Sequence, residues 1–339
     1  MSSLGAEISK LFSGKKILVT GGTGSIGSCI VRELLKFDIS EVDVFSRDEI
    51  KQFMMRKAIN DKRLNFIVGD VREYKSLERA FEMNDFDIVY HAAAMKHVVV
   101  CEENPLEAVK TNIVGTQNVV DLARKYGVPK LINISTDKAV NPCNVMGATK
   151  LIGERIVLNA NYTSVRFGNV AGSRGSVIPA LIEEMIRKRQ ITITNPSVTR
   201  FVMRTSDAVK LVLKATQYAK GGEIFVLKMK AFKLQDLVDV LINYVAPKLG
   251  ICSEEIKVNV TGLIHGEKLH EDLVSKLEIP YLHDLGDFYI IKPKASAKTL
   301  EKEHLIFSSD NTEFISKDEL IKIVNEYINS LFYKKITRN

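Results

Sequence analysis

A glycine-rich segment near the N-terminus constrains what this chain can fold into more than any other feature. Residues 20–27 read TGGTGSIG, directly after a short apolar run at 16–20 and directly before apolar residues at helical spacing over 26–36. In such a strand–turn–helix unit, glycines let the backbone turn tightly and approach a pyrophosphate. The free amides and the dipole of the helix N-terminus then bind phosphate oxygens. The segment therefore predicts a dinucleotide site after a first strand.

The glycine spacing satisfies both G-x-G-x-x-G, from Gly22, and G-x-x-G-x-x-G, from Gly21. A tight turn between a strand and a helix also needs glycine for steric reasons alone, which leaves a purely structural role open. In this context we favour cofactor binding. The predicted contacts of the loop are Gly21, Thr23, Gly24, Ser25, Ile26 and Gly27.

Short strand-like runs alternate with longer helical patterns through the first half of the chain. Strands are predicted at 41–45, 65–69, 87–90 and 130–135, and helices at 48–60, 74–83, 107–126 and 148–159. Such alternation is typical of right-handed βαβ units around a buried parallel sheet. We predict an α/β fold, a doubly wound parallel sheet of the Rossmann type, with a smaller C-terminal substrate-binding domain.

The rhythm loosens after a sixth predicted strand at 165–170, and the segments 190–194 and 223–227 look like strands outside the main sheet. The predicted cofactor-binding domain covers 10–170, with 200–228 returning to it. The substrate domain is expected to comprise 171–199 and 229–339. We expect it to cover the carboxyl edge of the sheet, where α/β proteins bind ligands.

Composition excludes several classes of protein. The chain has 339 residues, 45% hydrophobic and 26% charged, as in an ordinary globular protein. It contains no apolar run of about 18 residues and no secretory signal, so we expect no membrane span and a cytoplasmic location. The four cysteines are scattered, which predicts reduced thiols and no metal site. The net charge of +7 suits a phosphate-bearing small molecule or a solvated basic surface, and we expect no nucleic acid partner.

The end of the second strand indicates which dinucleotide is bound. NAD-binding folds usually place an acidic residue there to accept from the ribose 2′-hydroxyl. This chain has Ser46 and Arg47, with Lys51 one helical turn on. A hydroxyl and two cations suit a 2′-phosphate, so we predict NADP rather than NAD. The alternative is that the two cations form surface pairs with Asp48 and Glu49.

Two later strand ends complete the predicted cofactor site. Asp70 and Val71 follow the third strand, where a carboxylate can accept from the adenine amino group. Small residues follow the fourth strand, where the backbone must pass the cofactor; they are Ala92, Ala93 and Ala94. Close packing alone would also explain the alanines.

The fifth strand ends in Ser135 and Thr136, followed by Asp137 and Lys138. The hydroxyls can bond a ligand hydroxyl and an oxyanion that forms during a reaction. The carboxylate and the amine place an acid and a base side by side, as general acid–base catalysis requires. An exposed ion pair in a loop is the structural alternative.

With these residues placed, the chain resembles the extended short-chain dehydrogenase/reductase superfamily and, within it, the UDP-N-acetylglucosamine 4,6-dehydratases of bacterial amino-sugar pathways. The matching segments are TGGTGSIGS (20–28), SRDEIKQ (46–52), GDVRE (69–73), HAAAMKHV (91–98), KTNIVGTQNV (110–119), STDKAVNP (135–142), MGATK (146–150), RFGNVAGSRGSVIP (166–179), TRFVM (199–203), GGEIFV (221–226) and GEKLHE (266–271). Many superfamily members share the first few. STDKAVNP with MGATK, and GSRGSVIP with GEKLHE, are much more specific to these dehydratases.

The resemblance implies a lyase that oxidises C4 of the sugar, eliminates water across C5–C6 and returns the hydride to C6, giving a UDP-4-keto-6-deoxy-N-acetylhexosamine. It implies Lys138 as base, Asp137 as acid and Lys150 on the nicotinamide ribose. Lys96 is implied near both cofactor and substrate. The remaining implied substrate contacts are Asn169 at the end of the sixth strand, Ser173, Arg174, Val177, Arg200 and Glu267. By analogy with relatives we expect a homo-oligomer, a dimer or a hexamer.

Two positions depart from the family pattern. The superfamily's Tyr-x-x-x-Lys has Met146 in place of the tyrosine, and a thioether has no proton to exchange. The C4 proton transfer then moves to Asp137 or Lys138, through Thr136 or water. Near the C-terminus, Ile264 and His265 replace an Arg-Pro pair whose arginine meets the diphosphate, which weakens the UDP prediction.

Three alternatives remain open at this point. A nucleotide-sugar 4-epimerase would return the hydride to C4, but such enzymes normally keep the tyrosine and lack the Asp–Lys pair. A dehydratase that stops at a 5,6-ene sugar would also return the hydride to C4. A non-catalytic NADP-binding sensor would need the glycine loop alone.

Overall fold

The computed structural model of the chain describes residues 3–173, 175–293 and 307–336. The chain divides into two compact units. Unit 1 comprises Met1–Phe167, Ser206–Lys228 and Ser275–Leu300, and unit 2 comprises Gly168–Thr205, Met229–Val274 and Glu301–Asn339.

Unit 1 is built on a nine-stranded sheet with the order β13-β14-β10-β6-β5-β4-β1-β2-β3. Its strands are β1 (Lys16–Thr20), β2 (Glu41–Ser46), β3 (Leu64–Val68), β4 (Ile88–His91), β5 (Lys130–Ile134), β6 (Thr163–Arg166), β10 (Ile224–Leu227), β13 (Leu282–Asp284) and β14 (Phe288–Ile291). The seven strands from β10 to β3 pair in parallel, and β14 and β13 are added antiparallel at one edge. The α/β doubly wound fold predicted from the sequence is confirmed.

Unit 2 holds two small sheets. One has the order β11-β9-β7 and the other pairs β12 with β8. The strands are β7 (Asn169–Ala171), β8 (Gln190–Ile193), β9 (Thr199–Arg204), β11 (Lys230–Lys233) and β12 (Lys257–Val260). A separate apolar core lies in this unit and draws on Ile182, Phe232, Leu241 and Val324, among others.

Helices alternate with strands in the described chain, as the sequence predicts for its first half. They are α1 (Ser3–Phe12), α2 (Ser25–Leu34), α3 (Glu49–Ala58), α4 (Tyr74–Met83), α5 (Val98–Glu103), α6 (Pro105–Val109), α7 (Gly115–Lys125), α8 (Val145–Asn159), α9 (Val177–Lys188), α10 (Thr205–Tyr218), α11 (Leu234–Val240), α12 (Ala246–Lys248) and α13 (Lys317–Ile336). The single helix predicted at 107–126 is interrupted by a π-helical turn at Lys110–Val114. Such bulges are frequent at functional sites. Among the residues described, none of the helices combines the length and the apolar character that crossing a membrane requires.

Three sequence-based predictions need correction. The strand at Ile224–Leu227 lies inside the main sheet, parallel to β6, and not outside it. The strand predicted at 165–170 is two strands in different sheets, so Asn169 begins β7 instead of ending the sixth strand. The physical reason is that strand pairing depends on partners distant in sequence, which a local apolar run does not reveal.

The domain bounds also differ from those predicted. The return to unit 1 begins at Ser206, because Thr199–Arg204 pairs with strands of unit 2. The segment Ser275–Leu300, predicted in the substrate domain, belongs to unit 1. Its strand Phe288–Ile291 is buried and pairs antiparallel with Ile224–Leu227, covering what would otherwise be an open sheet edge.

Candidate functional site

The glycine loop between β1 and α2 has no room for a side chain at two of its glycines. Gly21 has a φ of +66°, and a β-carbon there would lie 2.6 Å from the backbone nitrogen of Ala93. A β-carbon on Gly27 would lie 2.4 Å from the carbonyl oxygen of Gly21. The backbone of the loop therefore presses against the segment after β4, as a fold that brings bare backbone to a phosphate requires.

The N-terminus of α2 offers its amides without a competing side chain. Gly24 is the N-cap residue, and no side chain caps the ten-residue helix. Beside the loop, the hydroxyl of Thr23 donates to Ser46 Oγ at 3.2 Å. The chemistry of this cradle, with bare glycine backbone leading into uncapped helical amides, fits the pyrophosphate of a dinucleotide.

Ser46 lies at the end of β2, where the ribose of a bound dinucleotide is expected. Its Oγ accepts from Thr23 and, at 3.1 Å, from Gln52 Nε2. Neither bond uses the hydroxyl proton of Ser46. A donor is thus available at the position where the sequence predicts a 2′-phosphate.

The two cations predicted to meet that phosphate have different surroundings. Lys51 pairs with Asp48 on the first turn of α3, as the surface-pair alternative expects. Arg47 is 63% exposed, and its Nη1 lies 3.7 Å from Asp70 Oδ2. Both cations are ion-paired, and the Arg47 side chain is the more exposed of the two, 63% against 47% for Lys51.

Asp70, predicted to meet the adenine, is held in place by Arg72. Arg72 donates to Asp70 Oδ2 from Nε at 2.9 Å and from Nη2 at 2.7 Å, and its Nη1 contacts Glu107 at 2.5 Å. Burial opposes ionisation of Asp70, but Arg72 and then Arg47 outweigh it and lower the pKa of the carboxyl. Asp70 Oδ1 accepts a bond from the Arg72 amide at 3.0 Å and keeps capacity for a second donor. Val71 beside it belongs to the core.

A buried histidine links the glycine loop to the helices behind the sheet. His91 Nδ1 lies 2.7 Å from Thr20 Oγ1, and Nε2 lies 3.0 Å from Thr116 Oγ1. Because the hydroxyl of Thr116 donates to the carbonyl of Asn112, Nε2 of His91 must be the donor and Nδ1 the acceptor. Burial, and secondarily the charge of Lys150, lower the pKa of His91 to about 3. The imidazole is neutral and fully engaged.

Asn112, in the π-helical turn, fixes the segment after β4. Its Oδ1 accepts from the amide of Met95 at 2.8 Å, and its Nδ2 donates to the carbonyl of Met95 and to Thr149 Oγ1, both at 3.0 Å. The same segment contains the predicted cofactor residues Ala92, Ala93, Ala94 and Lys96. Ala93 meets Gly21, whereas Ala94 and Lys96 are exposed.

The predicted acid–base residues come together at the carboxyl end of β5. The hydroxyl of Thr136 donates to Asp137 Oδ1 at 2.8 Å, and Lys138 Nζ donates to the same oxygen at 3.0 Å. Asp137 is fully buried and Thr136 is half-buried. Within the described residues, Asp137 Oδ2 and Ser135 Oγ are buried without a hydrogen-bond partner. A buried polar atom without a partner is costly, and in native proteins such atoms are concentrated where a ligand or water completes them.

Helix α8 brings the position of the superfamily tyrosine against this turn. A β-carbon on Gly147 would lie 2.2 Å from the carbonyl oxygen of Lys138, so the turn and the helix touch directly. Met146 is 4% exposed and packs in an apolar cluster with Cys101 and Ala108. Met146 therefore fills space and supplies no polar group.

Lys150, one turn further along α8, is buried and donates to the carbonyl of Ile134 at 2.7 Å. Burial lowers its pKa to about 8, although Glu154 opposes the shift. Glu154 is itself bound by the buried guanidinium of Arg166, which also meets Glu278. Lys150 thus lies at the edge of a buried ionic cluster, beside the end of β5, which Ser135 follows.

The predicted substrate residues of unit 2 are spread over several elements, unlike the acid–base residues after β5. Arg200 is 9% exposed, and its Nη2 contacts Glu267 Oε1 at 2.9 Å, so these two predicted residues bind each other. Asn169 and Val177 begin β7 and α9. Ser173 lies between them, and Arg174 lies outside the described residues. A cavity of about 490 Å³ in this unit is lined by Thr199, Lys233 and His270 among others, and none of the predicted site residues lines it.

Three supporting residues escaped the sequence reasoning. Gln52 donates to the backbone carbonyl and hydroxyl of Ser46, Arg72 orients Asp70, and His91 ties β4 to β1. All three lie inside motifs quoted for the resemblance. For Gln52 and His91, a polar residue at a buried helix or strand position was the available signal, because burial requires such a group to find partners. Arg72 lies in a partly buried turn and gave no such signal.

The fold and this edge define the chain as a member of the extended short-chain dehydrogenase/reductase class. It belongs to the polysaccharide biosynthesis protein family, whose sequence model matches residues 17–293. The resemblance to the UDP-N-acetylglucosamine 4,6-dehydratases is confirmed at this level by a relative from Campylobacter jejuni. That UDP-N-acetylglucosamine 4,6-dehydratase (inverting) is 38% identical over 93% of this chain and 98% of its own length.

Other relatives carry different names. An uncharacterised membrane protein of Methanocaldococcus jannaschii is 45% identical over 94% of this chain and 98% of its own. A UDP-glucose 4-epimerase of Rickettsia bellii is 43% identical over 83% of this chain and 84% of its own. Among solved structures, Pen from Bacillus thuringiensis superposes with a TM-score of 0.87 at 40% identity, covering 93% of this chain and 98% of Pen. The chain is therefore related to proteins named as nucleotide-sugar dehydratases and epimerases.

Proposed function

We propose that the protein is an NADP-dependent UDP-N-acetylglucosamine 4,6-dehydratase acting in surface-glycan amino-sugar synthesis. The observation that carries this proposal is the pair of buried Asp137 and partly buried Lys138, 3.0 Å apart at the carboxyl end of β5. An elimination needs one group that removes a proton from carbon and another that protonates the departing hydroxyl. A 4-epimerase does not need such a pair, because it inverts C4 without breaking a C–O bond of the sugar.

The residues of the site are proposed to have different roles in the reaction. A nicotinamide dinucleotide, when bound, accepts the C4 hydrogen with its electron pair and returns both to C6. Lys138 removes the C5 proton, which the C4 ketone acidifies, and Asp137 supplies the proton with which the C6 hydroxyl leaves as water. Lys150 is proposed to bind the nicotinamide ribose, and Ser135 to bond the sugar.

The cofactor is proposed to be NADP, bound by the glycine cradle and by Ser46 and Arg47. Support comes from the accessible guanidinium of Arg47 and the available proton of Ser46. Asp70 is proposed to accept from the adenine amino group. Because Lys51 is paired with Asp48, its contribution is expected to be smaller than that of Arg47.

Besides Lys96, the UDP-sugar is proposed to contact the residues that the family resemblance implies. Those residues are Asn169, Ser173, Arg174, Val177, Arg200 and Glu267. The name of the Campylobacter relative supports this substrate. A cytoplasmic location and a homo-oligomeric assembly remain part of the proposal, and the free state of all four cysteines accords with the location.

The direct test is to incubate the purified protein with UDP-N-acetylglucosamine and to analyse the product by mass spectrometry and proton NMR. The dehydratase predicts loss of one water and a new C6 methyl doublet. An unchanged mass with an inverted C4 would instead identify an epimerase, the activity named for the Rickettsia relative. Unchanged substrate with tightly bound NADP would favour the sensor.

A dehydratase that stops at the 5,6-ene sugar is a second candidate, favoured by the apolar burial of Met146. In such an enzyme the hydride returns to C4 and the double bond between C5 and C6 is kept. Mass does not separate the two products, because both have lost one water. NMR does, since the ene sugar has vinyl protons at C6 and keeps the C4 proton.

A further inference from the structure

We infer that Arg166 is a positioning residue for the cofactor: by binding both oxygens of the buried Glu154, it leaves the ammonium of Lys150 available to the nicotinamide ribose. Glu278 supports Arg166 by holding its guanidinium in place. The inference rests on the proposed function, which puts Lys150 on that ribose, and it names the residues on which this contact depends. All four side chains belong to unit 1.

These four ionisable side chains are buried together behind the end of β5. Lys150 and Glu154 lie on α8, Arg166 ends β6, and Glu278 directly precedes a short turn at 279–281. In that order they are 7%, 0%, 0% and 9% exposed. Two cations balance two carboxylates, as burial requires, because an unpaired charge is very costly away from water. The arrangement of the pairs therefore decides which charged group is left for a ligand.

Arg166 binds both oxygens of Glu154. Its Nε donates to Glu154 Oε1 at 3.1 Å, and its Nη2 donates to Oε2 at 2.7 Å. This is the bidentate geometry in which a planar guanidinium matches a carboxylate. A lysine ammonium is a single point charge and cannot reproduce this contact. Glu154 is thus paired with the strand-end arginine and not with the lysine of its own helix.

Glu278 binds the same guanidinium from the other side. Nη1 of Arg166 donates to Glu278 Oε2 at 3.0 Å, and Nη2 donates to Oε1 at 2.9 Å. The amide of Ser275 also donates to Oε2, at 2.8 Å. Burial opposes ionisation of Glu278, but Arg166 outweighs it and lowers the pKa of this carboxyl. Two charged carboxylates therefore fix the plane of the guanidinium.

Lys150 keeps most of its hydrogen-bonding capacity. Its Nζ donates to the carbonyl of Ile134 at 2.7 Å, which uses one of the three ammonium protons. Within residues 3–173, 175–293 and 307–336, the other two protons have no hydrogen-bond partner. Donors left over on an ammonium that is only 7% exposed indicate a partner from outside the chain. Ribose hydroxyls are acceptors of the required kind.

Glu154 is the group that would otherwise bind this ammonium. It follows Lys150 by four residues on α8, the spacing at which lysine and glutamate side chains meet on a helix. The two side chains nonetheless form no ion pair with each other, because Arg166 binds the carboxylate instead. If the guanidinium is removed, Lys150 is the remaining cation beside Glu154. A buried carboxylate without a cation is strongly destabilising, so the lysine is expected to pair with it and to leave the ribose.

Two double variants test this competition and serve as each other's control. Arg166→Met/Glu154→Gln and Arg166→Met/Glu278→Gln each remove the guanidinium and neutralise one of its two carboxylates. They therefore have the same net charge and the same change in composition. Only the second keeps Glu154, the carboxylate that can bind Lys150. The doubles replace the single Arg166→Met, which would leave one buried carboxylate in excess.

The readout is the dissociation constant of the whole dinucleotide divided by that of its adenosine half, both from calorimetry. NADP is compared with adenosine 2′,5′-bisphosphate, and NAD with AMP. The halves lack the nicotinamide ribose, so a general loosening of unit 1 weakens both ligands and leaves the ratio nearly unchanged. The ratio thus reports the ribose contact, which a merely structural role of Arg166 would not affect.

The inference predicts opposite results for the two doubles. In Arg166→Met/Glu278→Gln the ratio is expected to rise by about tenfold to a hundredfold, the usual worth of hydrogen bonds to a charged group. In Arg166→Met/Glu154→Gln it is expected to stay within about fivefold of the wild type, because the competing carboxylate is gone. A crystal structure of the first of these is expected to show Lys150 Nζ bound to Glu154.

The reference variant is Lys150→Met, which is expected to raise the ratio as much as Arg166→Met/Glu278→Gln does. Equal ratios in the two doubles would overturn the positioning role and leave the proposed function standing. An unchanged ratio in Lys150→Met would instead remove Lys150 from the ribose, and with it both that part of the proposed function and this inference. Because no sugar is present in these titrations, a failure of the dehydratase reaction is detected separately, in the product assay.

Discussion

The two ends of the carboxyl edge of the main sheet are built by opposite means. At the dinucleotide end, Gly21 and Gly27 leave no space for a β-carbon, and the backbone itself forms the cradle. At the reaction end, Thr136, Asp137 and Lys138 crowd polar side chains into a buried turn. We therefore expect the dinucleotide end to be disrupted by an added side chain, and the reaction end by the removal of a side chain.

This difference separates binding from chemistry. A change at the glycine end is expected to weaken the cofactor and leave the acid–base turn intact, because bare backbone supplies the phosphate contacts. A change at the reaction end is expected to spare the cofactor and stop the proton transfers. Each of the following variants tests whether the two ends are separable in this way.

The largest effect is expected for Lys138→Ala. Positioned acid–base groups contribute about 10²–10⁴-fold in rate, so dehydration is expected to fall by that factor while NADP binding is unchanged. Exchange of the C5 proton with deuterated solvent, followed by NMR, is expected to stop as well. A variant that still dehydrates at near wild-type rate would remove the lysine from the mechanism and erase the contrast between the ends.

The next largest effect is expected for Gly21→Ala, with Gly127→Ala as its matched control. Both glycines have φ near +65°, but only Gly21 has backbone within 2.6 Å of a new β-carbon, while Gly127 has nothing within 4 Å. The strained backbone alone costs about 1 kcal/mol or more, and the clash adds about 1–3 kcal/mol at Gly21. Calorimetry is expected to show NADP binding lost in Gly21→Ala and retained in Gly127→Ala. Equal binding in both would show that close approach is unimportant.

A smaller effect is expected for Arg47→Ala. Its exposed guanidinium is proposed to meet the 2′-phosphate, and loss of one such charge–phosphate contact is expected to weaken NADP by about tenfold. NAD lacks that phosphate, so its affinity is expected to change little. Lys51→Ala is the comparison, because its ammonium is already paired with Asp48. An equal loss for NADP and NAD would contradict the assignment, as would recovery of NAD alone from the purified protein.

The smallest effect on function is expected from His91, which is bonded to Thr20 and Thr116 behind the dinucleotide end. Its pKa is lowered to about 3, mainly by burial, while the unfolded imidazole titrates near its ordinary value of about 6.5. The stability that it contributes is complete above that ordinary value and is lost as the pH falls toward the folded pKa. Urea unfolding at several acidic pH values is expected to show a shallower pH dependence for His91→Gln than for the wild type. An unchanged slope would mean that His91 does not govern acid stability.

The contrast between the two ends also explains which parts of the fold and of the candidate site could be predicted from the sequence. The glycine loop, the alternation of strands and helices, and the Asp137–Lys138 pair are local patterns whose residues are close in sequence. They predicted the main sheet and the position of Asp137 and Lys138 just after β5, while the acid–base role of this pair stays a prediction. The strand at 224–227 and the division of 165–170 could not be predicted, because each depends on a partner far along the chain.

The supporting contacts were hidden for the same reason. The contact of Arg72 with Asp70 is local, but its reach to Glu107 joins residues 35 positions apart. The partnership of Arg200 with Glu267 joins residues 67 positions apart. Residue types at strand ends thus indicated a candidate site, while the contacts that orient those residues required the folded chain.

The most direct test of the dehydratase account follows the C4 hydrogen. UDP-N-acetylglucosamine carrying deuterium at C4 is incubated with the protein, and the product is examined by deuterium and proton NMR. The account predicts that deuterium moves within the molecule to the new C6 methyl group, and that C4 becomes a ketone. Deuterium retained at C4, whether in an epimerised sugar or in a 5,6-ene sugar, would contradict it.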